Sequence, residues 1–145
     1  MNAKNDQWRE VANFIEQNVK PTDLILINSI GASVSSMKLP FDFYFKGTNI
    51  VYGVQTSSNL TEIVSHRQYS NTWLIIYGLT DPYMGLFTEY ERTAALLKTE
   101  LERTSALLLT KEYVSRSVLN SIWFTKYPLI TVVTQKIIIY YYASL

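Results

Sequence analysis

Lys20-Pro21-Thr22-Asp23-Leu24-Ile25-Leu26-Ile27 decides the fold. A proline turn delivers the chain into four consecutive apolar residues, with no polar position facing water on either side. A strand of that kind needs both faces covered, which is the signature of an α/β domain. Upstream, Trp8, Val11, Ala12, Ile15 and Val19 recur at helical spacing on one stripe, so a helix is expected over Asp6–Val19. Asn5 or Asp6 is its expected N-cap, and Pro21 ends it by disfavouring helical geometry at Lys20.

Downstream, the apolar run gives a strand over Asp23–Asn28, followed by the small-residue loop Asn28-Ser29-Ile30-Gly31-Ala32-Ser33 and a short helix through Met37. Pro40 and the aromatics Phe41, Phe43, Tyr44 and Phe45 lead to Gly47 and a short strand over Asn49–Val54. The four aromatics form a candidate semi-exposed patch. A polar loop, Gln55–Asn59, precedes a helix over Leu60–Arg67. Trp73-Leu74-Ile75-Ile76-Tyr77 is a second strand buried on both faces, ended by Gly78 and Asp81-Pro82.

The longest helix is expected from Tyr83 to Leu109, with a seam of Phe87, Tyr90, Ala94, Leu97, Leu101, Thr104 and Leu108. A crossover helix lying on a sheet explains that seam, and a helical dimer interface is the alternative. Glu89–Arg92 and Glu100–Arg103 are set to pair on its outer side. The remainder is β-rich: Glu112–Ser115, Ile122–Phe124 and Leu129–Tyr142, with a bend at Tyr127-Pro128. The fold class that follows is α/β. It is a three-layer, mostly parallel, Rossmann-like sheet with helices on both faces, antiparallel strands near the C-terminus, and a single domain over residues 1–145.

Composition narrows the function. Thirteen Lys and Arg against twelve Asp and Glu leave a net charge of +1, too few cations for a phosphate-tracking nucleic-acid surface. The chain has no cysteine, which removes disulfides, thiol catalysis and cysteine-zinc sites. With His66 the single histidine, a metal site would rest on carboxylates. No signal peptide and no apolar run of spanning length occurs, so the chain reads as soluble.

No cofactor motif is present: neither the dinucleotide fingerprint nor the P-loop pattern occurs. Gly31-Ala32-Ser33-Val34-Ser35 lacks the second glycine of a nucleophile elbow. His66-Arg67 fits a helix C-terminus, where a cation is favoured by the dipole. Asn59-Leu60-Thr61 matches the N-glycosylation sequon. Ligands of open parallel sheets sit at the carboxyl ends of the strands. That rule nominates Asn28, Ser29, Gly31 and Ser33 after the first strand, and Gly78, Asp81 and Tyr83 after the second buried one. Turn and capping duties are the alternative for the same residues.

Three stretches together resemble the C-terminal soluble domain of polytopic membrane glycosyltransferases of the dolichyl-phosphate-mannose–protein mannosyltransferase and aminoarabinose-transferase kind. They are the helix Trp8-Arg9-Glu10-Val11-Ala12-Asn13-Phe14-Ile15-Glu16-Gln17-Asn18, the turn Lys20-Pro21-Thr22-Asp23 into its strand, and Phe43-Tyr44-Phe45 before a short strand. Thr22 stands where that family has glycine. The resemblance implies a domain on the extracytoplasmic face, periplasmic or exterior, following membrane helices upstream of Met1. It also implies partnership with the membrane-embedded part of the same chain and contact with carbohydrate or a polyprenyl-linked sugar. The family's catalytic acids lie in its membrane part, so no catalytic residue carries over. An independent small-ligand module and a homo-oligomeric scaffold through residues 87–108 are the alternatives.

Overall fold

The computed structural model describes residues 3–29, 37–65, 71–80, 86–121 and 129–145. In chain order these form α1 (Ala3–Asn18), β1 (Leu24–Ser29), α2 (Leu39–Tyr44), β2 (Val51–Gly53), α3 (Ser57–Ser65), β3 (Asn71–Thr80), α4 (Leu86–Glu102), β4 (Ser105–Ser121) and β5 (Leu129–Ser144). The strands make one open five-stranded sheet in the order β2-β1-β3-β5-β4. β1 pairs parallel with β2 and β3, while β5 pairs antiparallel with β3 and β4. The fold is mixed α/β, parallel at its start and antiparallel at its end.

The apolar run at β1 does what its composition dictates. Leu24, Ile25, Leu26 and Ile27 are fully buried, and their side chains divide between two cores. Ile25 and Ile27 join Trp73, Ile75 and Tyr77 of β3 under Trp8, Val11, Ala12 and Ile15 of α1 and Phe41 of α2. Leu24 and Leu26 join Leu74 and Ile76 under Leu60 of α3 and Ala94, Leu97 and Leu101 of α4. Strand alternation sends successive residues to opposite faces, so helices are needed on both. β1 and β3 are interior neighbours in the register Leu24↔Thr72 through Ser29↔Tyr77.

Several expectations are corrected. α1 starts at Ala3, so Asn5 and Asp6 lie inside its first turn and do not cap it. The aromatic stretch forms α2, with Pro40 in the first turn, where a missing N–H costs nothing. Its aromatics are not one patch: Phe41 and Phe45 are buried and stacked at 4.7 Å, while Phe43 is 72% exposed. α3 begins earlier than Leu60 because Thr56 and Asn59 cap it reciprocally. The Asn59 N–H donates to Thr56 Oγ1 at 3.2 Å, and the Thr56 N–H to Asn59 Oδ1 at 3.3 Å. The sequon asparagine is therefore part of a helix cap.

The helix expected to reach Leu109 stops at Glu102, and Ser105 opens β4. Leucine favours helix, yet here the Tyr-rich β5 needs a partner, and Leu107↔Tyr142 and Leu109↔Tyr141 supply it. Leu108 is the extra residue of a bulge between them. Thr104 and Leu108 thus leave the proposed seam, and Ala94, Leu97 and Leu101 face the sheet core. A continuous helical seam over residues 87–108 is therefore not formed, because the helix ends at Glu102. Glu100 and Arg103 pair as expected, at 3.6 Å. His66, Arg67, Ile122–Phe124 and Tyr127-Pro128 lie outside the described residues.

Candidate functional site

A sheet whose chain leaves β1 for β2 on one side, then returns across to β3 on the other, has its topological switch point between β1 and β3. In open α/β sheets ligands bind at the carboxyl rim of such a pair of strands, which makes this rim the candidate site. Asn28, Ser29 and Gly78 come together there, since Ser29 pairs with Tyr77 and Gly78 follows it. All three lie within strands, not in loops. Gly78 is buried and does not end β3, which runs on to Thr80 with Gly78 opposite Lys136 of β5. Gly31, Ser33, Asp81 and Tyr83 lie outside the described residues.

Asn28 is the polar residue of this rim with an unusual environment. It is 2% exposed, and its Nδ2 donates to the Val54 carbonyl at 2.7 Å, tying β1 to the chain just after β2. Val54 N–H in turn donates to the Ile27 carbonyl at 2.8 Å. Asn28 Oδ1 is buried and has no hydrogen-bond partner among the described residues. A buried amide oxygen without a donor is costly, on the order of 1–3 kcal/mol. Farther along the rim, a cleft of about 120 Å³ is lined by Gln55, Thr56, Thr93, Leu96 and Leu97. Drug-sized ligands occupy sites of roughly 300–1,000 Å³, so this cleft by itself is smaller than such a site.

A second polar cluster sits at the opposite, amino end of the sheet, and sequence reading did not single it out. Asp23 is 1% exposed. Its Oδ2 accepts from the Lys20 N–H at 3.0 Å, from Trp73 Nε1 at 3.0 Å and from the Tyr141 hydroxyl at 3.4 Å. Trp73 and Tyr141 stack at 4.1 Å, and Asn71 Nδ2 donates to the Tyr141 hydroxyl at 2.6 Å. Asn49 clamps the same turn, donating to the Lys20 and Asp23 carbonyls. The signal was the aspartate closing a proline turn beside a strand that opens on tryptophan. The partner supplied by β5 lay 118 residues away.

The tyrosines near these clusters are held protonated. Burial pushes the Tyr77 hydroxyl above the ordinary phenol range. Burial does the same at Tyr142, reinforced by the negative charge of Glu102. Neither environment lowers a phenol toward the range of a general base at neutral pH. Among the described residues, no group of three or more His, Asp or Glu is arranged to hold a metal ion. No described helix is long and apolar enough to cross a membrane.

No protein-family model, curated protein or solved structure matches the chain.

Proposed function

We propose that this chain is an extracytoplasmic accessory domain of a membrane-embedded glycosyltransferase that uses a lipid-linked sugar. It assists acceptor or donor recognition or supports the membrane part, while the transfer chemistry takes place elsewhere in the parent protein. In this reading the sheet and its flanking helices constitute a three-layer, Rossmann-like arrangement.

One observation carries the reading. The apolar residues of the helix and the aspartate of the turn that resemble the glycosyltransferase domain help build the frame. Trp8, Val11, Ala12 and Ile15 bury one face of α1 on the sheet, and Asp23 locks the turn into β1. A motif that fixes architecture is what an accessory domain would share with its relatives. The test is to incubate the purified chain with a polyprenyl-phosphate-linked sugar and an acceptor peptide. No sugar should be released or transferred, and the reading frame upstream of Met1 should encode a series of hydrophobic spans. Turnover by the chain alone overturns the proposal.

A second reading, an independent small-ligand module, is favoured by Asn28 Oδ1, a buried acceptor at the switch-point rim. Calorimetry with sugars, nucleotides and polyprenyl phosphates separates the two. Saturable heat that disappears in Asn28→Leu selects the module, and silence with every ligand removes it.

A further inference from the structure

The two edges of the sheet are very different. β2 is three residues long, a short edge of the kind that resists pairing with other chains. β4 is 17 residues long and is the outer strand on the other side, its far edge unpaired among the described residues. It contains no proline and no glycine, and its one bulge lies near its start, at Leu108. Leu107, Leu108 and Leu109 are between 38% and 61% exposed, and Val114 is 49% exposed. An edge of that length, with apolar residues open to water, is a template for another strand.

The sequence of β4 says which strand fits. When two copies of one strand pair antiparallel about a two-fold axis, residue positions facing each other must lie on the same face, so the axis passes through one residue and its own copy. Centring on Lys111, Glu112 or Arg116 sets like charges opposite one another, which is destabilising. Centring on Tyr113 places Glu112 opposite Val114, and centring on Ser115 places it opposite Val118. Centring on Val114 places Val114 opposite itself, Glu112 opposite Arg116 twice, Thr110 opposite Val118, and Leu109 opposite Leu119. Glu112 already meets Lys136 of β5 at 3.3 Å, so its carboxylate would lie between two cations.

We propose that β4 is a self-pairing edge. Two copies of this chain join β4 to β4 in antiparallel register centred on Val114, making one continuous ten-stranded sheet. The inference is independent of the glycosyltransferase reading, because it rests on the edge and its charge pattern alone. It also moves the oligomer contact from the α4 seam, which is occupied by the core, to the sheet edge.

The absence of cysteine makes the test clean. Sedimentation equilibrium of the wild-type chain should give twice the monomer mass at high concentration. In Val114→Cys, facing Cα atoms would be about 4.5–5.5 Å apart, within disulfide range, so mild oxidation should yield a covalent dimer. Thr110→Cys would place the two thiols roughly 27 Å apart along the strands and should remain monomeric on the same gel. Glu112→Arg should weaken dimerisation about tenfold, since two symmetry-related pairs are reversed at once, and adding Arg116→Glu should restore it. Circular dichroism of each variant confirms folding. A monomeric mass at every concentration, equal cross-linking of the two cysteine variants, or no rescue by the double swap overturns the proposal. A monomer would assign the edge to a strand of a different protein.

Discussion

Asp23 is the residue on which most long-range polar contacts of the amino end converge. Its carboxylate joins the turn after α1, the indole of β3 and a phenol of β5, three segments far apart in sequence. Hydrogen bonds to a charged group contribute about 1.5–3 kcal/mol, and a donor left buried without a partner costs about as much. Asp23→Ala should therefore destabilise the fold by about 3 kcal/mol, read from urea unfolding. Asp23→Asn should cost less, because its amide oxygen still accepts from Trp73. Equal losses in the two variants would show that the negative charge is what matters at this position, and that a neutral acceptor oxygen of the same shape cannot replace it. Asp23 was visible in sequence as a turn residue only. Its task depends on Tyr141, and nothing local connects the two.

At the scale of elements, the strands that are apolar at every position were the most legible, because burial on both faces leaves a composition that few other structures tolerate. β1 and β3 lie where Leu24–Ile27 and Trp73–Tyr77 put them, side by side. α2 was missed because Pro40 resembles a break when it is in fact a first-turn residue. The end of α4 was misplaced because Leu107-Leu108-Leu109 continues a helical spacing, and only pairing with β5 makes it a strand. Of the candidate site, the convergence of Asn28, Ser29 and Gly78 followed from fold-level reasoning, but the buried amide oxygen of Asn28 depends on contacts that no spacing encodes. α4 offers a direct check on which of its faces is structural. Leu97 is buried against the sheet, whereas Leu96, its neighbour, is 56% exposed. Leu97→Ala should cost about 2–5 kcal/mol, and Leu96→Ala less than about 0.5 kcal/mol. Thermal unfolding of the two variants side by side would decide it, and a large loss at Leu96 would contradict the packing described.

Across the whole molecule, tyrosines of β3, β4 and β5 set its response to alkali. Burial raises the phenols of Tyr77, Tyr113, Tyr140, Tyr141 and Tyr142 above their unfolded value. A group whose folded pKa is raised stays protonated in the native state after the unfolded chain has lost its proton. The stabilisation is fully present below about pH 10, the unfolded phenol value, and is lost as pH rises toward the folded values. The expected outcome is a flat stability profile through neutrality and a steep fall above about pH 10, with late-titrating tyrosinate absorbance in the native protein. Tyr142→Phe should make that fall shallower, and an unchanged slope would count against the assignment. The strand order carries one more consequence. β5 is the last of the five strands to be synthesised, yet it sits between β3 and β4. While the chain is growing, both of its future neighbours wait with open hydrogen-bonding edges, and β3 joins residues as distant as Asn71 and Ala143 only afterwards. Nascent chains stalled before β5 emerges should be the form most prone to clump and most in need of a chaperone.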